Sequence, residues 1–239
     1  HQITVQRMTN VTLDQTLPKE WMANGNPTNV TVNGQSNFGV VTLAGKINLY
    51  RGGTLIKEID YPAENGKPVR VEGSKTEQIA FSNDNRLMFI AGMGDIQVFD
   101  TATLQFANKI RVGTTNISSL LTIGDWLYIA EGGMSPGDTP RRLLRINLNK
   151  SHANFLQLQQ IDLPPELSGQ NTPLGYLGLA AAFGVHTYLA VTASRQPLGI
   201  LVGERSKPAG GNVFILDLDV LPEKNDRLDA TAKDAWVNV

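Results

Sequence analysis

The amino-acid sequence predicts an all-β fold built from about four repeats of a four-stranded antiparallel sheet. Helical periodicity is scarce along the 239 residues, and most apolar residues fall in short β-branched or aromatic runs that Gly, Asn, Asp and Pro interrupt. One strand pattern also recurs: an aromatic residue, an aliphatic residue and Ala precede a turn, an alternating strand and then Asp or Asn. Four antiparallel strands in about 40 residues are typical of one blade of a β-propeller.

The repeat is clearest in three places. The aromatic-aliphatic-Ala unit is Phe89-Ile90-Ala91, Tyr128-Ile129-Ala130 and Tyr188-Leu189-Ala190, and the closing residues are Asp100, Asn147 and Asp217. A β-sandwich would account for the strands but not for this repeated phase, so the propeller is the preferred architecture. We therefore expect an N-terminal strand and connector over 1–28 and blades over approximately 29–62, 76–113, 116–164 and 175–239.

The second of these blade segments also resembles a known repeat. Its matching residues are Ile79-Ala80-Phe81-Ser82-Asn83-Asp84-Asn85-Arg86-Leu87, then Phe89-Ile90-Ala91, then Ile96-Gln97-Val98-Phe99-Asp100-Thr101-Ala102-Thr103, and finally Ile110-Arg111-Val112-Gly113. This series is similar to the YVTN-type repeat of bacterial β-propellers, a family in the same broad group as quinoprotein-like and lactonase-like propellers. The turn Asn83-Asp84-Asn85 stands where the family usually carries Pro-Asp-Gly. The resemblance implies a fold and not an activity, because this repeat serves unrelated functions.

The number of blades bears on whether the ring closes. Propellers usually close with more than four blades, and an open sheet edge invites pairing with other strands. We expect either a piece of a larger propeller or part of an assembly that other domains or chains complete, with a small closed ring as the remaining alternative. The last apolar stretch, residues 235–239, is expected to form the outermost strand of the fourth blade.

Loop lengths indicate which face of the propeller is elaborated. We label the strands of a blade A to D from the axis outward. The interval from the repeated Ala to the closing residue contains the B–C connection, and it lengthens from residues 91–100 to residues 130–147 and then to residues 190–217. The D–A connections at 62–75 and 164–175 are long as well. B–C and D–A connections emerge on the same face of a propeller, and loops on a rigid scaffold are where binding residues tend to lie. The alternative is that exposed loops lengthened without acquiring a function.

Basic residues in these loops are the candidate contacts. Their guanidinium and ammonium groups could pair with carboxylates of a partner or ligand. The predicted ligand-binding or partner-binding residues are Arg141, Arg142, Arg195, Arg205 and Lys207. The alternative interpretation is that these are ordinary solvated surface charges.

The sequence offers little catalytic chemistry. It has no cysteine, only three histidines, and no Gly-x-Ser-x-Gly elbow, phosphate-binding loop or dinucleotide fingerprint. No His has a second His or a carboxylate at metal-ligand spacing, so we predict no catalytic residues, no metal site and no cofactor. Calcium is the open alternative, because Asp217-Leu218-Asp219 and Asn83-Asp84-Asn85 could supply oxygen ligands. The shared repeat position of Asp100, Asn147 and Asp217 instead favours a turn-forming role.

Charge and hydropathy exclude other functions. The 21 basic and 22 acidic residues leave a net charge of -1, which gives no electrostatic basis for binding nucleic acid. No run of 18 apolar residues occurs, so no transmembrane segment is expected. We expect an extracellular or cell-surface location.

Two functions remain. The first is a non-catalytic binding or scaffold module of a larger bacterial surface or secreted protein, which recognises a protein or glycan through the long B–C and D–A loops. The alternative is a lactonase-like or quinoprotein-like propeller enzyme with an axial metal or cofactor. An enzyme needs several Asp, Glu, His or Asn side chains converging at the axis, whereas the predicted inner strands offer mainly apolar residues. Binding is therefore favoured over catalysis.

Overall fold

The computed structural model describes the chain in separate segments that consist of strands and turns. The described residues are 27–32, 37–42, 46–51, 54–60, 63–64, 67–68, 79–91, 95–113, 117–131, 142–163, 177–193, 212–224, 227–231 and 236–237. Across these segments, no helix has the length and apolarity that crossing a membrane requires.

Four four-stranded blades account for most of the strands. Blade 1 contains β1 (Pro27–Val32), β2 (Asn37–Thr42), β3 (Lys46–Arg51) and β4 (Thr54–Asp60), and the short β5 (Ala63–Glu64) and β6 (Lys67–Pro68) pair after it. Blade 2 contains β7 (Ile79–Phe81), β8 (Leu87–Ala91), β9 (Asp95–Asp100) and β10 (Gln105–Arg111). Blade 3 contains β11 (Ile117–Ile123), β12 (Trp126–Glu131), β13 (Leu143–Asn147) and β14 (Leu158–Asp162). Blade 4 contains β15 (Leu177–Phe183), β16 (Thr187–Ala193) and β17 (Asn212–Asp217), followed by β18 (Glu223–Lys224), β19 (Arg227–Asp229) and the outer strand β20 (Trp236–Val237).

The arrangement of the blades confirms the predicted β-propeller class. Within each blade the strands pair antiparallel in chain order, and β20 pairs with β17 as the expected outermost strand. The first strands of successive blades lie beside one another, β1 against β7, β7 against β11 and β11 against β15. These strands therefore line a common axis, as the inner strands of a propeller do.

The repeated Asp or Asn forms a turn in each of blades 2 to 4. Asp100 Oδ1 accepts hydrogen bonds from the backbone N–H groups of Ala102 (2.8 Å) and Thr103 (2.9 Å). Asn147 Oδ1 accepts from the backbone of Asn149 at 2.8 Å. A side chain that bonds its own backbone two residues onward fixes a tight turn, so the turn-forming interpretation is confirmed at these positions.

The hydrophobic core lies between successive blades. In β8, Met88 and Ile90 pack toward blade 1, whereas Phe89 and Ala91 pack toward blade 3. The central strand of blade 3 alternates in the same way: Leu127 and Ile129 face blade 2, and Tyr128 and Ala130 face blade 4. Side chains alternate across a strand, so a sheet with apolar residues on both faces must be covered on both faces. This requirement explains why these strands read as continuous apolar runs.

One connection in blade 4 crosses back to blade 3. β19 pairs in parallel with β14, and β18 pairs with β19, so the sheet of blade 3 gains two strands beyond its outer edge. Leu228 and Ala230 are buried against the core shared by blades 3 and 4, and Arg227 contacts the carboxylate of Asp162. The sequence pattern alone does not predict this pairing. The crossing covers an edge that would otherwise be open to other strands.

The buried side chain of Leu228 should anchor this crossing. We expect Leu228→Ala to lower the free energy of unfolding by about 2–3 kcal/mol, because a truncated buried leucine loses its apolar contacts and leaves a cavity. Urea denaturation followed by circular dichroism measures the change. Leu158→Ala, at a partly exposed position of β14, is the matched control and should cost less than about 1 kcal/mol. Equal losses in the two variants would contradict the anchoring role.

Candidate functional site

Arg142 is the one predicted partner-binding residue within the described segments. Its Nε and Nη2 groups donate to the two carboxylate oxygens of Glu131 at 2.6 and 2.8 Å, and Nη2 also donates to the carbonyl of Val112 at 3.3 Å. Arg141, Arg195, Arg205 and Lys207 lie outside the described residues. The role of this set in partner binding stays a prediction, and at Arg142 a partner would have to compete with Glu131.

The Arg142–Glu131 pair joins two blades. Glu131 ends β12, and its side chain is only 4% exposed, whereas Val112 follows the outer strand of blade 2. Burial raises the pKa of Glu131, and the hydrogen bonds and charge of Arg142 oppose that effect. A buried carboxylate in this setting is stabilised by the guanidinium that faces it with both donors.

A second polar cluster lies at one end of blade 4. His186 Nδ1 lies 2.5 Å from Asp217 Oδ2, and the backbone N–H of Asp219 donates to Asp217 Oδ1 at 3.1 Å. Asp219 Oδ2 accepts the backbone N–H of Thr187 at 2.8 Å, and the N–H of Leu218 donates to the carbonyl of Thr187 at 2.9 Å. These bonds tie the A–B turn of blade 4 to the turn that follows its C strand.

Spacing along the sequence does not reveal this cluster. His186 and Asp217 are 31 positions apart and meet only through the pairing of β16 with β17. The register places Tyr188 opposite Asp217, so a residue in the preceding turn lies near the closing position of the repeat. The repeated Asp was therefore the available signal: a His in the turn before the B strand is placed beside it by hairpin geometry.

The electrostatics of the cluster favour a protonated imidazole. The hydrogen bond to Asp217, followed by the charge of Asp217 and that of Asp219, raises the pKa of His186. The three side chains each offer one ligand atom, and these atoms lie within 4.8 Å of one another, so they could hold a metal ion. His186 Nδ1, both oxygens of Asp217 and Oδ2 of Asp219 already form hydrogen bonds, some of which an ion would have to replace. The calcium alternative at Asp217-Leu218-Asp219 stays a prediction.

The other predicted calcium candidate has a defined structural role. Asp84 Oδ1 accepts from the Ser82 hydroxyl at 2.5 Å and from the backbone N–H of Arg86 at 3.1 Å. Burial alone would raise the pKa of Asp84, but these hydrogen bonds and the charges of Lys150 and Arg86 lower it. Asn85 has a φ of 59°, a left-handed conformation that Asn tolerates, and the segment forms a tight turn.

Exposed apolar side chains surround the His186 cluster. Phe183 is 74% exposed and Val185 is 95% exposed, and Val220 in the adjoining turn is 45% exposed. The A–B turns of blades 2 and 3 carry polar residues or glycine at their tips, namely Asn83, Asp84, Gly124 and Asp125. We call Phe183, Val185, His186, Asp219 and Val220 the blade 4 tip. Its apolar character distinguishes it from the A–B turns of blades 2 and 3.

Comparison with known proteins gives a distant likeness of fold. No protein-family model matches the chain, and no curated protein is similar to it in sequence. Among solved structures, hydrazine synthase from Kuenenia stuttgartiensis is similar at 12% identity and a TM-score of 0.46, over 82% of this chain and 64% of that one. U3-55K (13% identity, TM-score 0.47, 80% and 54%) and the WD40 repeats of RRP9 (13% identity, TM-score 0.46, 80% and 53%) are similar to the same degree. The chain thus spans between about half and two thirds of these structures, and its fold assignment rests on the strand order described above.

The His186–Asp217 pair should make stability depend on pH. A pKa that is higher in the folded state than in the unfolded chain stabilises the fold at low pH, and this contribution is lost as pH rises above 6.5 through the folded value. Asp217→Asn keeps an oxygen for the Asp219 N–H but removes the charge, so the pKa of His186 should fall. Titration of the His186 ring protons by NMR, in both proteins, measures this difference. An unchanged titration midpoint would contradict the assigned role of Asp217.

The Arg142–Glu131 pair should matter for stability as well. We expect Arg142→Met to cost about 2–3 kcal/mol of unfolding free energy at neutral pH, because it leaves the Glu131 carboxylate buried without its partner. The deficit should shrink as pH falls and Glu131 becomes protonated. The double variant Glu131→Leu with Arg142→Met should recover part of the loss, and urea denaturation at two pH values measures all three proteins. A neutral effect of Arg142→Met would show that the pair does not stabilise the blade contact.

Proposed function

We propose that the chain is a non-catalytic binding module that contacts a protein partner through the blade 4 tip. The observation that carries the proposal is the exposure of Phe183 and Val185, at 74% and 95%, on a turn whose counterparts in blades 2 and 3 carry polar residues or glycine. Exposed aromatic and aliphatic side chains on a rigid scaffold are typical of protein contacts, where they fill pockets of the partner. The turn is held in place by the Thr187 and Leu218 hydrogen bonds, so little ordering is needed on binding.

Charge indicates what the partner segment presents. Within the tip Asp219 lies near His186, and Asp217 lies next to both of them. In blade 2, by contrast, the carboxylate of Asp84 has both Arg86 and Lys150 nearby. The tip is therefore locally acidic whenever His186 is neutral. A segment with an aromatic or aliphatic residue flanked by Lys or Arg fits both features.

The longer loops extend the same proposal. The B–C and D–A connections would form a second contact surface for a protein or glycan. This surface lies at the opposite end of the blades from the tip and contains the basic residues predicted from the sequence. Membership of a bacterial surface or secreted protein, and of the YVTN-type repeat family, also belongs to the proposal. Among the described residues, His186, Asp217 and Asp219 are the one group of three His, Asp or Glu side chains close enough together to hold a metal ion. Within those residues, no observation specifically supports an enzyme with a metal on the propeller axis.

Selection from a displayed library of short random peptides tests the proposal. Peptides that bind the wild-type chain should combine an apolar residue with Lys or Arg, and the double variant Phe183→Ser with Val185→Ser should bind them at least about tenfold more weakly, since removing an anchor residue costs more than 1 kcal/mol. Asp219→Asn should weaken binding of the basic peptides about two- to fivefold, measured by fluorescence anisotropy.

A matched control removes an exposed apolar residue elsewhere. Leu55→Ser, on the outer strand of blade 1 where Leu55 is 46% exposed, should leave the affinity unchanged. The proposal fails if every selected peptide binds the double variant as tightly as it binds the wild-type chain.

A further inference from the structure

Two turns of blade 4 bring one imidazole and two carboxylates together. His186 directly precedes β16, whereas Asp217 ends β17 and Asp219 lies in the turn that follows it. One ligand atom of each side chain lies within 4.8 Å of the other two. Neighbouring ligands of a tetrahedral zinc ion are about 3.4 Å apart, because each metal–ligand distance is about 2.1 Å. Small side-chain rotations therefore place all three ligand atoms around one ion.

The repeat shows that turn formation does not require this combination of side chains. In blades 2 to 4 the residue after the closing Asp or Asn donates its backbone N–H to a carbonyl at the start of the B strand, and the pairs are Thr101–Arg86, Leu148–Asp125 and Leu218–Thr187. Relative to these bonds, the positions of His186, Asp217 and Asp219 are occupied by Asn85, Asp100 and Ala102 in blade 2, and by Gly124, Asn147 and Asn149 in blade 3. Both of those turns form without a histidine and with at most one carboxylate at these positions. The three ligands of blade 4 are thus an addition to the turn.

The backbone on both sides of the cluster is already fixed. The N–H of Leu218 donates to the carbonyl of Thr187 at 2.9 Å, and the N–H of Thr187 donates to Asp219 Oδ2 at 2.8 Å. The N–H of Asp219 donates to Asp217 Oδ1 at 3.1 Å. Among the described residues, none donates a hydrogen bond to Asp219 Oδ1, so this carboxylate can bind an ion and keep its bond to Thr187. An ion would therefore not have to order either turn.

A metal ion can take the place of the proton between His186 and Asp217. The lone pair of His186 Nδ1 bonds to the ion, the Nδ1 proton passes to solvent, and Asp217 Oδ2 becomes the second ligand. Nδ1 and Oδ2 are 2.5 Å apart and must separate by about 0.9 Å, which the partly exposed imidazole permits by rotation. Asp219 Oδ1 supplies the third ligand and a water molecule the fourth. Asp217 is only 8% exposed, and a buried carboxylate is stabilised by a cation bonded directly to it.

We infer that His186, Asp217 and Asp219 form a binding site for a divalent transition-metal ion, with zinc as the type ion. The nitrogen ligand decides the class of metal, because imidazole suits zinc, copper and nickel, whereas calcium and magnesium take oxygen ligands. The bound ion joins the A–B turn of blade 4 to the turn after β17 and so stabilises this end of the blade. Sequence spacing predicts no metal site, because these ligands meet only through the pairing of β16 with β17.

Isothermal titration calorimetry of the full chain with zinc chloride tests the inference. The chain is first stripped with EDTA and kept in a non-coordinating buffer at mildly alkaline pH. It should bind one zinc ion, and calcium chloride should bind at least about tenfold more weakly. His186→Asn and Asp219→Asn should each weaken zinc binding at least about tenfold, since loss of even an outer-shell partner of a metal ligand costs about 10–100-fold in affinity.

A matched control removes a histidine elsewhere. His152 is exposed in the turn between β13 and β14 of blade 3, and His152→Asn should bind zinc as the wild-type chain does. Circular dichroism establishes that every variant is folded. Free zinc at about 100 times its dissociation constant should raise the Tm of the wild-type chain by about 5–10 °C, and it should leave the Tm of His186→Asn nearly unchanged.

NMR identifies the ligand atom. In a long-range ¹H–¹⁵N spectrum of the imidazole rings, zinc should shift the Nδ1 resonance of His186 more than its Nε2 resonance. A larger shift at Nε2 would contradict the assigned geometry.

Three other results would overturn the inference. A wild-type chain that binds no zinc lacks the site, and calcium binding as tight as zinc binding would show that the imidazole is not a ligand. Unchanged zinc affinity in both His186→Asn and Asp219→Asn would place the ion elsewhere. The site does not depend on the proposed partner contact: the double variant Phe183→Ser with Val185→Ser should lose peptide binding and still bind zinc as the wild-type chain does. Failure of one proposal is therefore separable from failure of the other.

Discussion

The structure depends on sheets that are apolar on both faces. Covering one Leu, Ile or Phe side chain contributes about 1.5–3 kcal/mol, whereas an exposed ion pair contributes about 0–1 kcal/mol. The central strands of blades 2 and 3 place buried apolar side chains on both of their faces. Burial of both faces therefore outweighs any arrangement that leaves one face in water, and consecutive sheets stack one after another around the axis. Turns, edges and polar clusters are arranged within that constraint.

Polar groups act at the margins of the stacked sheets, where they fix connections that apolar packing leaves undefined. Arg142 and Glu131 join the ends of blades 2 and 3, and the crossing at β19 covers the outer edge of blade 3. Both contacts link neighbouring blades near their rims, where few apolar side chains remain to be covered. The contact between neighbouring blades is thus apolar in its centre, and at its edge it consists of polar contacts or of paired strands.

The strands, their order and the core positions could be predicted from the sequence because they depend on local period-two alternation and short turns. Tyr128 and Ala130, for example, could be assigned to one face from the strand pattern alone. The contacts that were missed all join residues distant along the chain. Arg227 meets Asp162 across 65 positions, and Arg142 looks like a free loop cation unless the end of β12 is known to lie beside it. Register between non-adjacent segments is a tertiary property, so no local pattern reports it.

The repeat separates what maintains the fold from what is free to vary. Asp100, Asn147 and Asp217 all accept backbone hydrogen bonds in their turns, so that position is determined by the fold in every copy. Among these three described turns, the one in blade 4 alone joins the second oxygen of this residue to a turn histidine, beside apolar residues that are exposed to water. The exposed side chains of the tip cover no part of the core. Stabilisation of blade 4 by packing therefore does not account for the exposed aromatic ring of Phe183. A feature that departs from its own repeat without adding to the core supports the proposal that the blade 4 tip contacts a partner.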